Sequence, residues 1–229
     1  MTWKHVFTSS VGRKLTMGLT GIFLILFLIV HVGLNACIWA NDNGVMFNRA
    51  AHFMGDNVVP RILEIGLFVF FILHIIQGLM LVASNRSKRG TAYAVNYGNR
   101  GSKWYSRSMG LLGTIILLFL VIHLAHFWIP SRITGVAETT LPNGVVVHDL
   151  FSLMKATFAK GEEWVVILYT IGCISLAYHL AHGFQSAFRS LGVHNKKYSA
   201  LLTTTGYAFA IIVPLGFIMM PISMYFNWI

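Results

Sequence analysis

The chain has 229 residues, of which 56% are hydrophobic and only 10% charged. A water-soluble domain of this size carries roughly 25% charged residues, so the composition excludes an ordinary soluble domain and points to lipid as the main solvent. The net charge of +10 invites a nucleic-acid reading, but the basic residues fall in loops between apolar runs, and no nucleic-acid partner is expected.

Five stretches reach the length of about 18 mostly apolar residues that a bilayer crossing needs. They run over residues 15–39, 61–84, 109–129, 164–188 and 202–225. In lipid each must satisfy its own backbone hydrogen bonds, which predicts helices. The first is too long for a signal-peptide core and lacks a small-residue cleavage site after it, so it reads as a retained span. The 130–162 connection is the one sizeable loop on its side and is predicted to carry a short surface helix. The fifth span contains Pro214, which predicts a kink. Cys37 and Cys173 belong to no CxxC or CxxCH pattern and read as small packing residues.

Five spans put the termini on opposite faces. The N-terminus and the 85–108 and 189–201 loops hold most of the Lys and Arg, including Lys4, Arg13, Lys14, Arg86, Arg100, Arg107 and Arg189. The other face has Arg49, Arg61, Arg132, Lys155 and Lys160, together with all seven acids. The positive-inside rule therefore predicts a cytoplasmic N-terminus; the expected location is a bacterial inner membrane. Trp39, Trp104, Trp128, Trp164 and Trp228 fall at the interfacial levels where aromatic belts form.

Each of the first four spans carries one histidine in its apolar run: His31, His74, His123 and His179. Intramembrane imidazoles are expensive and call for a functional reason. Depth follows from the helical rise. His31 is 17 positions past Lys14 and His123 is 16 past Arg107, which places both roughly 25 Å above the inner charges. His74 is 12 positions before Arg86 and His179 is 10 before Arg189, roughly 15–18 Å above the same face. The four thus sort into an outer and an inner pair. Each pair joins two helices of the same direction, which are diagonal partners in an up-down four-helix bundle.

Two bis-histidine haem b groups fit this pattern. With both axial positions filled, iron has no open coordination site, and electron transfer is the expected chemistry. Gly18, Gly21, Gly66, Gly78, Gly110, Gly113 and Gly183 are available where backbones must come close to a macrocycle. His74 and His179 both stand in HxxxG, which favours His179 over its neighbour His182, and His123 is preferred over the more peripheral His126. His126 and His182 are then hydrogen-bond donors beside the ligands, or partners of propionates and quinone. His5, His148 and His194 lie in polar segments and receive no role.

Several motifs, in this order, carry a family resemblance. They are Ser-Ser-Val-Gly-Arg-Lys-Leu at 9–15, Asn-Arg-Ala-Ala-His-Phe-Met at 48–54, Leu63-Glu64-Ile65 before His74, Arg107-Ser108-Met109-Gly110 before His123, and the HxxxG of the fourth span. The chain resembles the five-helix, two-haem cytochrome b subunit of succinate dehydrogenase and fumarate reductase complexes. The resemblance implies an all-α membrane protein, a single domain over 1–229, whose first four helices form the haem-binding bundle. It implies that His31 and His123 hold the distal haem, and His74 and His179 the proximal one. Arg13, Lys14 and Arg107 become partners for haem propionates, with His182 beside them. It further implies an iron–sulfur subunit and a flavoprotein as partners, possible higher oligomers of the complex, and a quinone, menaquinone above all, near the outer ends of spans one and two, where Asn35, His52 and Glu64 lie. Some relatives of the fumarate-reducing type carry a glutamate two residues before the fourth ligand. This chain has Ala177 there, which favours succinate oxidation as the direction. The alternatives from sequence are fumarate reduction, a cytochrome b anchor of another dehydrogenase, and a proton-coupled transporter. No dicarboxylate active site is expected on this chain.

Overall fold

The computed structural model of the protein describes residues 9–89, 102–193 and 195–229. Lys4, His5, Arg100 and His194 lie outside the described residues.

Among the described residues, five helices are long and apolar enough to cross a membrane: Ser10–Ala40, Val58–Ser87, Met109–Thr134, Glu163–Ser190 and Lys197–Tyr225. The protein is an all-α membrane protein. In chain order, α1 is Ser10–Asn35, closed by a 3-10 turn over Ala36–Ala40. The helices α2 (Val45–Asp56), α3 (Val58–Arg89) and α4 (Trp104–Arg107) follow. Next comes α5 (Met109–His123), which continues through π-helical turns at Leu124–Trp128 and Pro130–Thr134. A short antiparallel hairpin pairs β1 (Glu138–Thr140) with β2 (Val146–His148). The helices α6 (Leu150–Thr157), α7 (Glu163–Ser190) and α8 (Lys196–Tyr225) complete the chain.

Spans one, two, four and five begin or end a few residues beyond the apolar runs, because long polar side chains at helix ends reach back to the interface. The third span passes Pro130, where the apolar run stops. Proline lacks an N–H and crowds the preceding α-turn, and the wider π turn that starts there accommodates it. The predicted surface helix of the 130–162 connection is α6. The hairpin before it and α2 were not legible as elements in the sequence.

The chain divides into two compact units. The first comprises residues 1–27, 66–114 and 175–211. Small residues bring its helices together: a Cβ on Gly18 would lie 3.1 Å from the Ala187 carbonyl oxygen, and one on Gly206 would lie 2.9 Å from the Phe184 ring. Phe23 stacks on Phe70 with ring centroids 4.2 Å apart. The Tyr105 and Tyr207 hydroxyls meet at 2.9 Å.

The second unit comprises residues 28–65, 115–174 and 212–229. Its core gathers Ile38, Phe47, Phe151, Met154, Phe158, Val165, Tyr169, Met220 and Met224. Asn48 is buried and fully used: its Nδ2 donates to Asp149 Oδ1 at 2.9 Å, and its Oδ1 accepts from the Phe151 N–H at 2.9 Å. Asp149 in turn caps α6 by accepting from the Ser152 N–H. Gly44 precedes α2 with φ +85°, and a Cβ there would run into the Phe151 ring. Only glycine serves both demands.

Candidate functional site

The first unit brings His74 of α3 and His179 of α7 together, with ring centroids 6.2 Å apart and planes at 62°. The second brings His31 of α1 and His123 of α5 together at 5.8 Å and 87°. All four rings are half-buried. His126 and His182 lie three residues beyond His123 and His179. The His126 ring stacks on Tyr169 at 5.8 Å, and its Nδ1 is 3.1 Å from the Tyr169 hydroxyl.

The pairs differ in how their nitrogens are used. His74 Nδ1 lies 3.1 Å from Thr20 Oγ1. Asn35 Nδ2 donates to the His31 carbonyl at 2.8 Å and lies 3.3 Å from His31 Nδ1. The Nδ1 atoms of His123 and His179 are buried with no hydrogen-bond partner. A buried polar atom left that way costs about 1–3 kcal/mol.

The pairs fit an axially ligated haem in length. Metal–imidazole bonds of about 2 Å, as found for zinc, hold two opposed nitrogens about 4 Å apart. The half-widths of two five-membered rings then bring the centroid separation close to those observed. Among the described residues no group of three or more His, Cys, Asp and Glu could hold a metal. Each pair on its own offers two imidazole donors. Glycines flank the first pair: a Cβ on Gly21 would lie 3.9 Å from His74 Cε1, and on Gly113 or Gly183 3.9 Å from His179. By contrast, Gly18 and Gly110 serve helix–helix approach to Ala187 and Val82.

The remaining sequence candidates are dispersed. Arg13 is half-buried, and its Nε is buried without a hydrogen-bond partner. Lys14 is exposed. Arg107 is exposed and donates to the Ser102 carbonyl and hydroxyl at 2.6 and 3.2 Å. His52 pairs with Asp56 on its own helix at 3.3 Å. Both Glu64 oxygens are engaged: Oε2 by Arg61 at 2.8 Å, Oε1 by the Trp128 indole at 2.6 Å and by Arg132 at 3.3 Å.

Sequence reasoning missed four residues that surround the pairs. Thr20 holds His74, Phe119 stacks on His123 at 5.6 Å, Tyr169 holds His126, and Phe217 lies 5.4 Å from His31. It also missed a cleft of about 270 Å³ lined by His126, Ala156, Thr157, Glu162, Trp164 and Val165. Across it the Trp164 indole donates to Glu162 at 2.9 Å. The Thr20–His74, Tyr169–His126 and Phe217–His31 contacts join residues far apart in the chain, so no local pattern announces them, whereas Phe119 and His123 are i, i+4 neighbours that helical spacing could have shown.

Compared with family models, with curated proteins and with solved structures, the chain matches none.

Proposed function

We propose that this chain is the dihaem cytochrome b anchor of a succinate:quinone oxidoreductase, with succinate oxidation as its working direction. The observation that carries the reading is the convergence of four histidines from four different spans into two separate imidazole pairs. In this reading His74 and His179 hold one haem b, and His31 and His123 the other. A haem b with two imidazole ligands supplies one-electron transfer without an open site for oxygen. The unpartnered Arg13 Nε is suited to a propionate, as a charge-assisted hydrogen bond. The helices bring each pair of rings within reach of a shared group.

The iron–sulfur subunit and flavoprotein rest on the motif resemblance. The basic N-terminal and 85–108 segments are the surface proposed to receive them, on the cytoplasmic side of a bacterial inner membrane. Quinone is the proposed acceptor. The cleft beside His126 has an imidazole, a carboxylate and an indole on its walls, the mixture of polar and apolar groups a quinone headgroup needs. It is preferred over Glu64, whose oxygens are already occupied.

The test is optical. Protein purified from membranes is expected to show sharp reduced-minus-oxidised cytochrome b bands, with two haems per chain, and the complex is expected to reduce on adding succinate anaerobically. A colourless protein would refute the haem reading and favour a transporter whose histidines relay protons. Haem bands without any response to succinate would point to the anchor of another dehydrogenase.

A further inference from the structure

Thr20 is 2% exposed, one of the most deeply buried side chains in the protein. Its Oγ1 lies 2.8 Å from the Thr16 carbonyl oxygen, 3.3 Å from the Met17 carbonyl oxygen and 3.1 Å from His74 Nδ1. A hydroxyl has one proton, and a carbonyl can only accept. The proton therefore goes to the backbone, and what Oγ1 presents to His74 is a lone pair. His74 Nδ1 must then be the donor. A neutral imidazole with its proton on Nδ1 has its free lone pair on Nε2.

We propose that Thr20 is a positioning residue, fixing His74 as the Nδ1–H tautomer and so reserving Nε2 for haem iron. The assignment rests on the haem reading of the His74–His179 pair. Thr20 is itself held: a β-branched side chain in a helix has few rotamers, and its bond back to Thr16 selects one of them. Neighbouring Gly21 lets the helix pass close to the ring: a Cβ there would lie 3.9 Å from His74 Cε1.

Donation from Nδ1–H makes the opposite nitrogen a stronger ligand, and loss of such a partner typically weakens metal binding by 10–100-fold. A stronger imidazole donor favours ferric over ferrous iron. Replacing Thr20 with the isosteric valine removes the acceptor and keeps the volume, whereas serine restores the hydroxyl.

The experiment measures the midpoint potential and low-temperature spectrum of each haem in the purified complex for wild type, Thr20→Val and Thr20→Ser. The valine variant is expected to shift the reduction equilibrium of one haem about tenfold toward the ferrous form, a rise of about 59 mV for one electron, and to leave the other haem unmoved. Serine is expected to return it. Unchanged potentials and spectra in Thr20→Val, or equal haem loss in the valine and serine variants, would overturn the assignment while leaving the haem reading intact. A wild-type protein without haem would overturn both.

Discussion

The Trp128 indole nitrogen lies 2.6 Å from Glu64 Oε1 and ties the start of α3 to the π-helical end of the third span. Arg61 and Arg132 complete the clamp, and the carboxylate side chain is 20% exposed. Glu64→Ala leaves two guanidinium groups and an indole without their acceptor, and is expected to cost roughly 2 kcal/mol. Glu64→Gln keeps an acceptor for Trp128 and should cost less. Thermal unfolding of the detergent-solubilised protein measures both, and equal losses would show that charge, not hydrogen bonding, holds the clamp.

The histidine pairs predict selective losses. His74→Ala or His179→Ala should remove one haem of two, and His31→Ala or His123→Ala the other. His182→Ala should keep both. Haem content by pyridine haemochrome and difference spectra distinguish these outcomes, and retention of both haems in His179→Ala would refute the pairing.

His126 lines the proposed quinone cleft without belonging to a pair. His126→Ala is expected to retain both haems and to raise the KM for quinone by about tenfold, the effect of losing a hydrogen bond worth a net ~1.4 kcal/mol. Steady-state quinone reduction, read beside the haem spectrum, checks it. An unmoved KM would remove the cleft from consideration.

Gly172 predicts a steric coupling. A Cβ there would lie 2.6 Å from the Phe119 ring, and Phe119 stacks on His123. Gly172→Ala forces that ring to move and is expected to cost about 1–3 kcal/mol. It should also perturb the spectrum of the His31–His123 haem alone. Combining it with Phe119→Leu, which opens space, should recover part of both effects.

Asp149 sets a pH limit on the α6 cap. Burial raises its carboxyl pKa, but hydrogen bonds from Ser152 and Asn48 outweigh that and hold it below the ordinary aspartate range. A value depressed in the folded state contributes stability above the unfolded aspartate value of about 3.9 and loses it as pH falls through the folded value. The protection of residues 150–157 against hydrogen exchange, measured relative to the intrinsic rate at each pH, should therefore fall on acidification below about pH 4. Asp149→Asn, also a good helix cap, should abolish the acid dependence with little loss at neutral pH.

Much of the architecture was legible because lipid imposes simple rules. Runs such as 61–84 must be helical, and their ends could shift only by the reach of flanking polar side chains. What remained hidden were features without a local signature. The twelve residues of α2 are too few for periodicity to separate from a loop, and Asn48 within them acts on Asp149, 101 positions away. The third span outlasts Pro130 because a π turn replaces an α-turn there, which hydropathy does not register.

The site divides in the same way. Sequence alone determined that four apolar helices each carry an imidazole at a computable depth, because rise per residue is fixed and charges mark the interface. Only the tertiary structure decided which groups on other helices those imidazoles face, Thr20 against His74 and Phe217 against His31, and that Glu64 is absorbed by Trp128 and two arginines. Depth along a helix is a one-dimensional count, whereas the rotation that aims a side chain depends on how neighbouring helices pack.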